Sequence, residues 1–125
     1  MFIVFLLSGQ YMNKFHNHLE GMEDGVRLLY RTRHIFILMA SLIHIGFGLY
    51  HETRMGQWQR LIQTLGSSLL VIGTFLLVIA FMNEPRNRDL ATPYTHWGMY
   101  AILLGMASHW LSGLKQKKNK SKTLS

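Results

Sequence analysis

The sequence predicts an all-α protein, a four-helix transmembrane bundle with antiparallel neighbours and short loops. Three observations carry this. Residues 61–82 run for 22 positions without a charge, between Arg60 and Asn83-Glu84; as a helix they would extend roughly 33 Å, enough to cross a bilayer's hydrocarbon. Three other apolar stretches of similar length alternate with short polar connections. Tyr and Trp side chains gather at the ends of these stretches, where a bilayer's interfaces would lie.

The first span is expected at about 1–18. Residues 1–12 are apolar apart from Ser8, Gly9 and Gln10. No basic residue precedes them and no small-x-small cleavage pattern follows, so the segment reads as a retained helix rather than a signal peptide. It turns polar through Asn13, Lys14, His16 and His18, and residues 21–25 break the pattern. Arg27, Arg31 and Arg33, with Leu28, Leu29 and Tyr30 between them, suggest an amphipathic approach lying in the interface. The second span follows at about 34–51. Residues 52–60 form a polar connection in which Trp58 is an interface anchor. The third span, 61–82, is the most apolar and is expected to be the most lipid-exposed. A charged loop with both prolines, Pro85 and Pro93, leads to the fourth span at about 94–114. Residues 115–125 read as a disordered basic tail.

With 125 residues the chain has room for one domain, and four crossings use nearly all of it. No soluble catalytic domain fits beside them. The absence of cysteine excludes disulfides, thiolate zinc sites and cysteine-bound iron–sulfur clusters. There is no nucleophile elbow, phosphate-binding glycine loop or His-Glu-x-x-His. The net charge of +7 owes much to five lysines in the last eleven positions. A basic tail after an apolar helix suits anionic headgroups rather than nucleic acid. Counting Lys and Arg, the termini side holds seven and the opposite side six. The crowding of the tail lysines favours cytoplasmic termini, in a bacterial inner (plasma) membrane.

Between helices in lipid, close approach through small residues replaces the hydrophobic effect. Gly66 and Gly73 on the third span, and Gly98, Ala101 and Gly105 on the fourth, form such stripes. They serve either packing within the chain or association with other membrane proteins or with a second copy.

Seven histidines are the main chemical signal. His16 and His18 lie in the polar exit of the first helix and read as solvated. His34, His44 and His51 belong to the second span, His96 and His109 to the fourth. His44 falls near mid-membrane, where an ionisable group needs a partner; Thr64, Ser67, Ser68, Ser108 and His109 are candidates. A b-type haem held across the second and fourth helices would use His44 and His109, with His34 and His96 as further candidates. Helical geometry limits this, because His96 and His109 are about 140° apart around their helix. Finally, Arg27, Arg31, Arg33 and Arg88 form a solvated rim suited to an anionic headgroup or a partner, with surface ion pairs to nearby acids worth ~0–1 kcal/mol each. The resulting expectation is a non-enzymatic structural or accessory membrane unit without a cofactor, with a haem-binding redox subunit as the alternative.

Overall fold

The computed structural model describes residues 1–49, 56–86 and 91–123, with side chains as far as Gly113. Among the described residues there are four α-helices and no strand: α1 (Phe2–His16), α2 (Asp24–Leu49), α3 (Gln57–Asn83) and α4 (Pro93–Thr123). Two 3-10 turns, Asn17–Leu19 and Glu84–Arg86, follow α1 and α3.

The boundaries differ from the expected spans for local reasons. α1 ends two residues early because Asn17, His18 and Leu19 all take positive φ, 42°, 57° and 67°. Asn enters this left-handed region readily, whereas Leu does not. Leu19 is held there by burial, in a cluster with Tyr30 and Phe81. α2 absorbs the arginine-rich approach into a single helix of 26 residues. No proline or glycine interrupts it between Val26 and Ile45, and Asp24 in its first turn complements the helix dipole. α3 begins at Gln57, so Trp58 lies in its first turn and not in the connection. At the other end α4 continues past Leu114 to Thr123, where a disordered tail was expected. Five lysines and one glutamine, good helix formers, lie after Gly113, and no proline or glycine follows it.

α3 is the central helix, packed between α2 and α4. This corrects the expectation that the most apolar span is the most lipid-exposed one. The reason lies in its glycines. A Cβ added at Gly73 would stand 2.7 Å from the carbonyl oxygen of Gly98, and one at Gly105 would stand 2.8 Å from that of Gly66. Two backbone-to-backbone crossings thus fall seven residues apart on each helix, running antiparallel. A seven-residue repeat keeps one face turned to its neighbour over two turns each time, which is the period of a left-handed helix pair. Leu70, Leu77 and Ile102 fill the space beside the crossings and meet Ala40 of α2 in one buried cluster.

A second buried cluster joins Leu19, Tyr30, Ile37 and Phe81, with Val4, Phe5 and Tyr11 of α1 against it. α1 therefore lies along α2 and touches α3 at Phe81, where the Tyr11 ring makes an edge contact at 6.0 Å.

Two stretches, Asp24–Leu49 and Gln57–Arg86, are long and apolar enough to cross a membrane. Only 22% and 39% of their most apolar windows are buried. The core helix of a water-soluble protein would be covered by its neighbours. Here Leu65, Ile72 and Phe75 of α3, Ile35 and Leu42 of α2, and Leu103 and Leu104 of α4 all face outwards.

Candidate functional site

Two polar constellations interrupt this apolar frame. The first lies where α2, the turn after α3 and the start of α4 meet. Glu84 is completely buried, and Arg33 nearly so. Arg33 donates to the same carboxylate oxygen from Nε, at 2.9 Å, and from Nη2, at 2.7 Å. The Thr95 hydroxyl donates to that oxygen as well, at 2.5 Å. The other oxygen accepts the Thr95 backbone N–H at 2.8 Å.

The local sequence explains the arrangement. Pro93 occupies the first position of α4, where its missing N–H costs nothing. Thr95, two residues on, still has an N–H without a partner inside the helix. Glu84 supplies the acceptor, and its negative charge sits at the positive end of the helix dipole. One carboxylate is thus satisfied by a guanidinium, a hydroxyl and a helix terminus drawn from two other elements.

Arg33 consequently leaves the rim to which the sequence assigned it. Its pairing with Glu84 is buried, not a solvated surface contact. Of the other rim residues, Arg27 turns back on its own segment, donating to the Met22 carbonyl at 3.0 Å and standing 3.5 Å from Asp24. Arg31 is exposed, and Arg88 lies outside the described residues.

The second constellation is the histidines, which the fold distributes among different partners. His34 lies on the α1 side of α2: its Nδ1 is 2.8 Å from the Ser8 hydroxyl, and its ring stacks on Phe5 at 4.2 Å. His44 donates from Nδ1 to the Ala40 carbonyl of its own helix, 2.9 Å away. None of the five side chains expected as its partner is the one it uses. His96 is exposed and bonds within the first turn of α4, with Nδ1 2.7 Å from the Thr92 carbonyl. His109 lies 3.2 Å from the Ser67 hydroxyl of α3, and its ring contacts Phe47 of α2 at 4.4 Å. His51 lies outside the described residues. His16 is half-buried rather than solvated, with Nε2 3.3 Å from the Tyr30 hydroxyl; His18 is exposed.

His34 and His96 therefore do not face one another across the second and fourth helices. Among the described residues, no group of three His, Asp or Glu side chains could hold a metal ion. His44 is distinctive in one respect. Its Nδ1–H is spent on a carbonyl, which leaves Nε2 as the lone-pair nitrogen, and that atom is buried without a hydrogen-bond partner among the described residues.

No protein-family model matches the chain, and no match was found among the curated proteins or the solved structures.

Sequence reasoning assigned Arg33 to a solvated rim and missed its burial with Glu84 and the part played by Thr95. The available signal was a threonine two positions after a helix-starting proline, a place where a carboxylate can dock. Ser8 as the partner of His34, and Tyr11 beside Arg86 at 3.0 Å, carried no comparable signal.

Proposed function

We propose that the chain is a small integral membrane protein of the bacterial inner membrane, with four helices in the bilayer and both termini in the cytoplasm. It has no catalytic activity of its own and serves as a structural or accessory unit for membrane partners or for a second copy. The observation that carries this reading is the covering of α2 and α3: their apolar windows are mostly unburied by the rest of the chain. An uncovered apolar surface of this kind belongs in lipid or against a partner.

The glycine crossings extend the reading to α4. A helix in backbone contact with α3 at Gly66 and again at Gly73 shares its depth over that length. The first 22 residues of α4 carry no charged side chain. α1 packs along α2 through Phe5 and Ser8 in the same layer. The small-residue stripes of α3 and α4 support packing inside the chain, so association with partners falls to the outer faces. Gly46 and Gly48 of α2 are suited to it, since a Cβ at either would meet nothing within 4 Å.

The test is extraction of membranes at alkaline pH after expression of the full chain with a small tag. The protein is expected to stay in the membrane pellet and to enter solution only with detergent. Release by alkali alone would refute the reading.

A haem-binding subunit remains the second reading, and one observation favours it. A metal-bound histidine characteristically donates its other ring nitrogen to a carbonyl, as His44 does to Ala40. An absorption spectrum of the purified protein decides it: a Soret band lost in His44→Leu supports haem, and its absence from the haem-supplied wild type removes this reading.

A further inference from the structure

Between α1 and α3 runs an apolar groove of about 220 Å³, lined by Val4, Leu7, Tyr11, Val78, Phe81 and Met82 among others. Along α1 it extends from Val4 to Tyr11, a rise of roughly 10 Å. Of the hydroxyls its lining residues carry, that of Ser8 is already engaged by the Phe5 carbonyl and His34, and that of Tyr11 by Arg86. The groove thus offers hydrocarbon contacts and asks for no hydrogen bonds.

Its mouth is different. Arg86 is exposed and donates from Nη2 to the Tyr11 hydroxyl at 3.0 Å, and its guanidinium also interacts with the Tyr30 hydroxyl. Among the described residues no carboxylate forms an ion pair with it. The nearest acid in sequence, Glu84, is committed to Arg33 and Thr95. Lys14, one turn beyond Tyr11 on α1, adds a second exposed cation. An arginine with donors to spare is suited to a phosphate.

We propose that this groove is a binding site for one anionic phospholipid. An acyl chain lies between α1 and α3, and the phosphate is held at the mouth by Arg86, with Lys14 nearby and the Tyr11 hydroxyl orienting the guanidinium. The site rests on the membrane reading above. Its chemistry is an apolar slot that ends on a cation with no ion-pair partner among the described residues, and a zwitterionic lipid would satisfy only the first half of it.

Native mass spectrometry of the full-length protein in a neutral detergent tests this, with equal amounts of dioleoyl-phosphatidylglycerol and dioleoyl-phosphatidylcholine added. The wild type is expected to retain one phosphatidylglycerol in clear preference. Arg86→Gln should lower that preference by about fivefold, and Arg60→Gln, at the opposite end of the bundle, should not change it. Leu7→Trp, at an outward-facing lining position, should fill the slot and remove the bound lipid of either kind. Circular dichroism establishes that each variant keeps its helices, and Leu7→Trp stands as an independent trial should Arg86→Gln lose them. Equal retention of both lipids by the wild type overturns the proposal. So does an unchanged preference in folded Arg86→Gln, or a bound phosphatidylglycerol in folded Leu7→Trp. Alkaline extraction separates the two levels: a protein that stays in membranes yet shows no lipid preference refutes the site alone.

Discussion

Glu84→Gln tests whether the contact between α2 and the α3–α4 turn is a buried ion pair. The glutamine keeps the shape of the side chain but removes its charge and turns one acceptor into a donor. In the native protein four donors converge on the carboxylate, two from Arg33 and two from Thr95. At best the glutamine oxygen can serve one side of that arrangement. Its NH₂ group must then face either the guanidinium or the Thr95 amide. Arg33 stays buried at 5% side-chain exposure with its counter-charge gone. Removing one member of such a pair costs about 3–5 kcal/mol, chiefly the cost of leaving the other charge uncompensated. For a chain of this size that corresponds to a fall in melting temperature on the order of 10 °C or more.

Circular dichroism melts in detergent measure it, with Arg33→Met and the double variant completing a cycle. Arg33→Met alone leaves the carboxylate to Thr95 and should be costly too. The double variant removes both demands together and should lose less than the sum of the single losses, with a coupling of about 2 kcal/mol or more. Losses below about 1 kcal/mol in both single variants, with no coupling, would mean a solvated pair and would refute the reasoning.

Other perturbations separate close packing from open surface. Gly73→Ala should destabilise by about 1–3 kcal/mol, because the new methyl meets the Gly98 carbonyl oxygen at 2.7 Å and Ile102 at 2.8 Å; a thermal melt equal to wild type would contradict the crossing. Gly46→Ala meets nothing within 4 Å, so the same assay should show no loss, and a gain of up to about 1 kcal/mol from helix propensity. Thr95→Val keeps the backbone N–H but loses the hydroxyl at 2.5 Å, and should cost about 1–3 kcal/mol in the same melts. Ser8→Ala leaves the half-buried Nδ1 of His34 without the hydroxyl at 2.8 Å; a loss of about 1 kcal/mol is expected, with His34→Phe/Ser8→Ala recovering part of it.

The legible parts of the fold were those written in one helix at a time. The apolar runs marked α2, α3 and the first part of α4, and the charge breaks separated them. Spacing alone identified Gly66, Gly73, Gly98 and Gly105 as residues of small-residue stripes, because a seven-residue repeat is visible without knowing the partner. What was not legible was the choice among partners. The stripes of α3 and α4 face each other, which makes the most apolar helix the central one; hydropathy registers composition and is blind to that choice. Arg33 and Glu84 are 51 positions apart, and their burial depends on Pro93 starting α4 where Thr95 can reach the same carboxylate. The histidines show the same limit. Angular positions constrained His96 and His109, but Ser8 met His34 only because the left-handed turn at 17–19 folds α1 back along α2.

The distribution of donors around Glu84 ties the register of α2 to the α3–α4 turn. Two of its four bonds come from Thr95, only eleven positions along the chain and inside the α3–α4 hairpin. Within the hairpin alone the acidic group is therefore already partly shielded, beside the glycine crossings. α2 supplies the guanidinium, so the pair forms only when that helix lies in the observed register. A shift of α2 by one residue would carry Arg33 away from Glu84 and bury each charge alone. The junction thus favours one alignment of an otherwise slippery apolar interface over its neighbours.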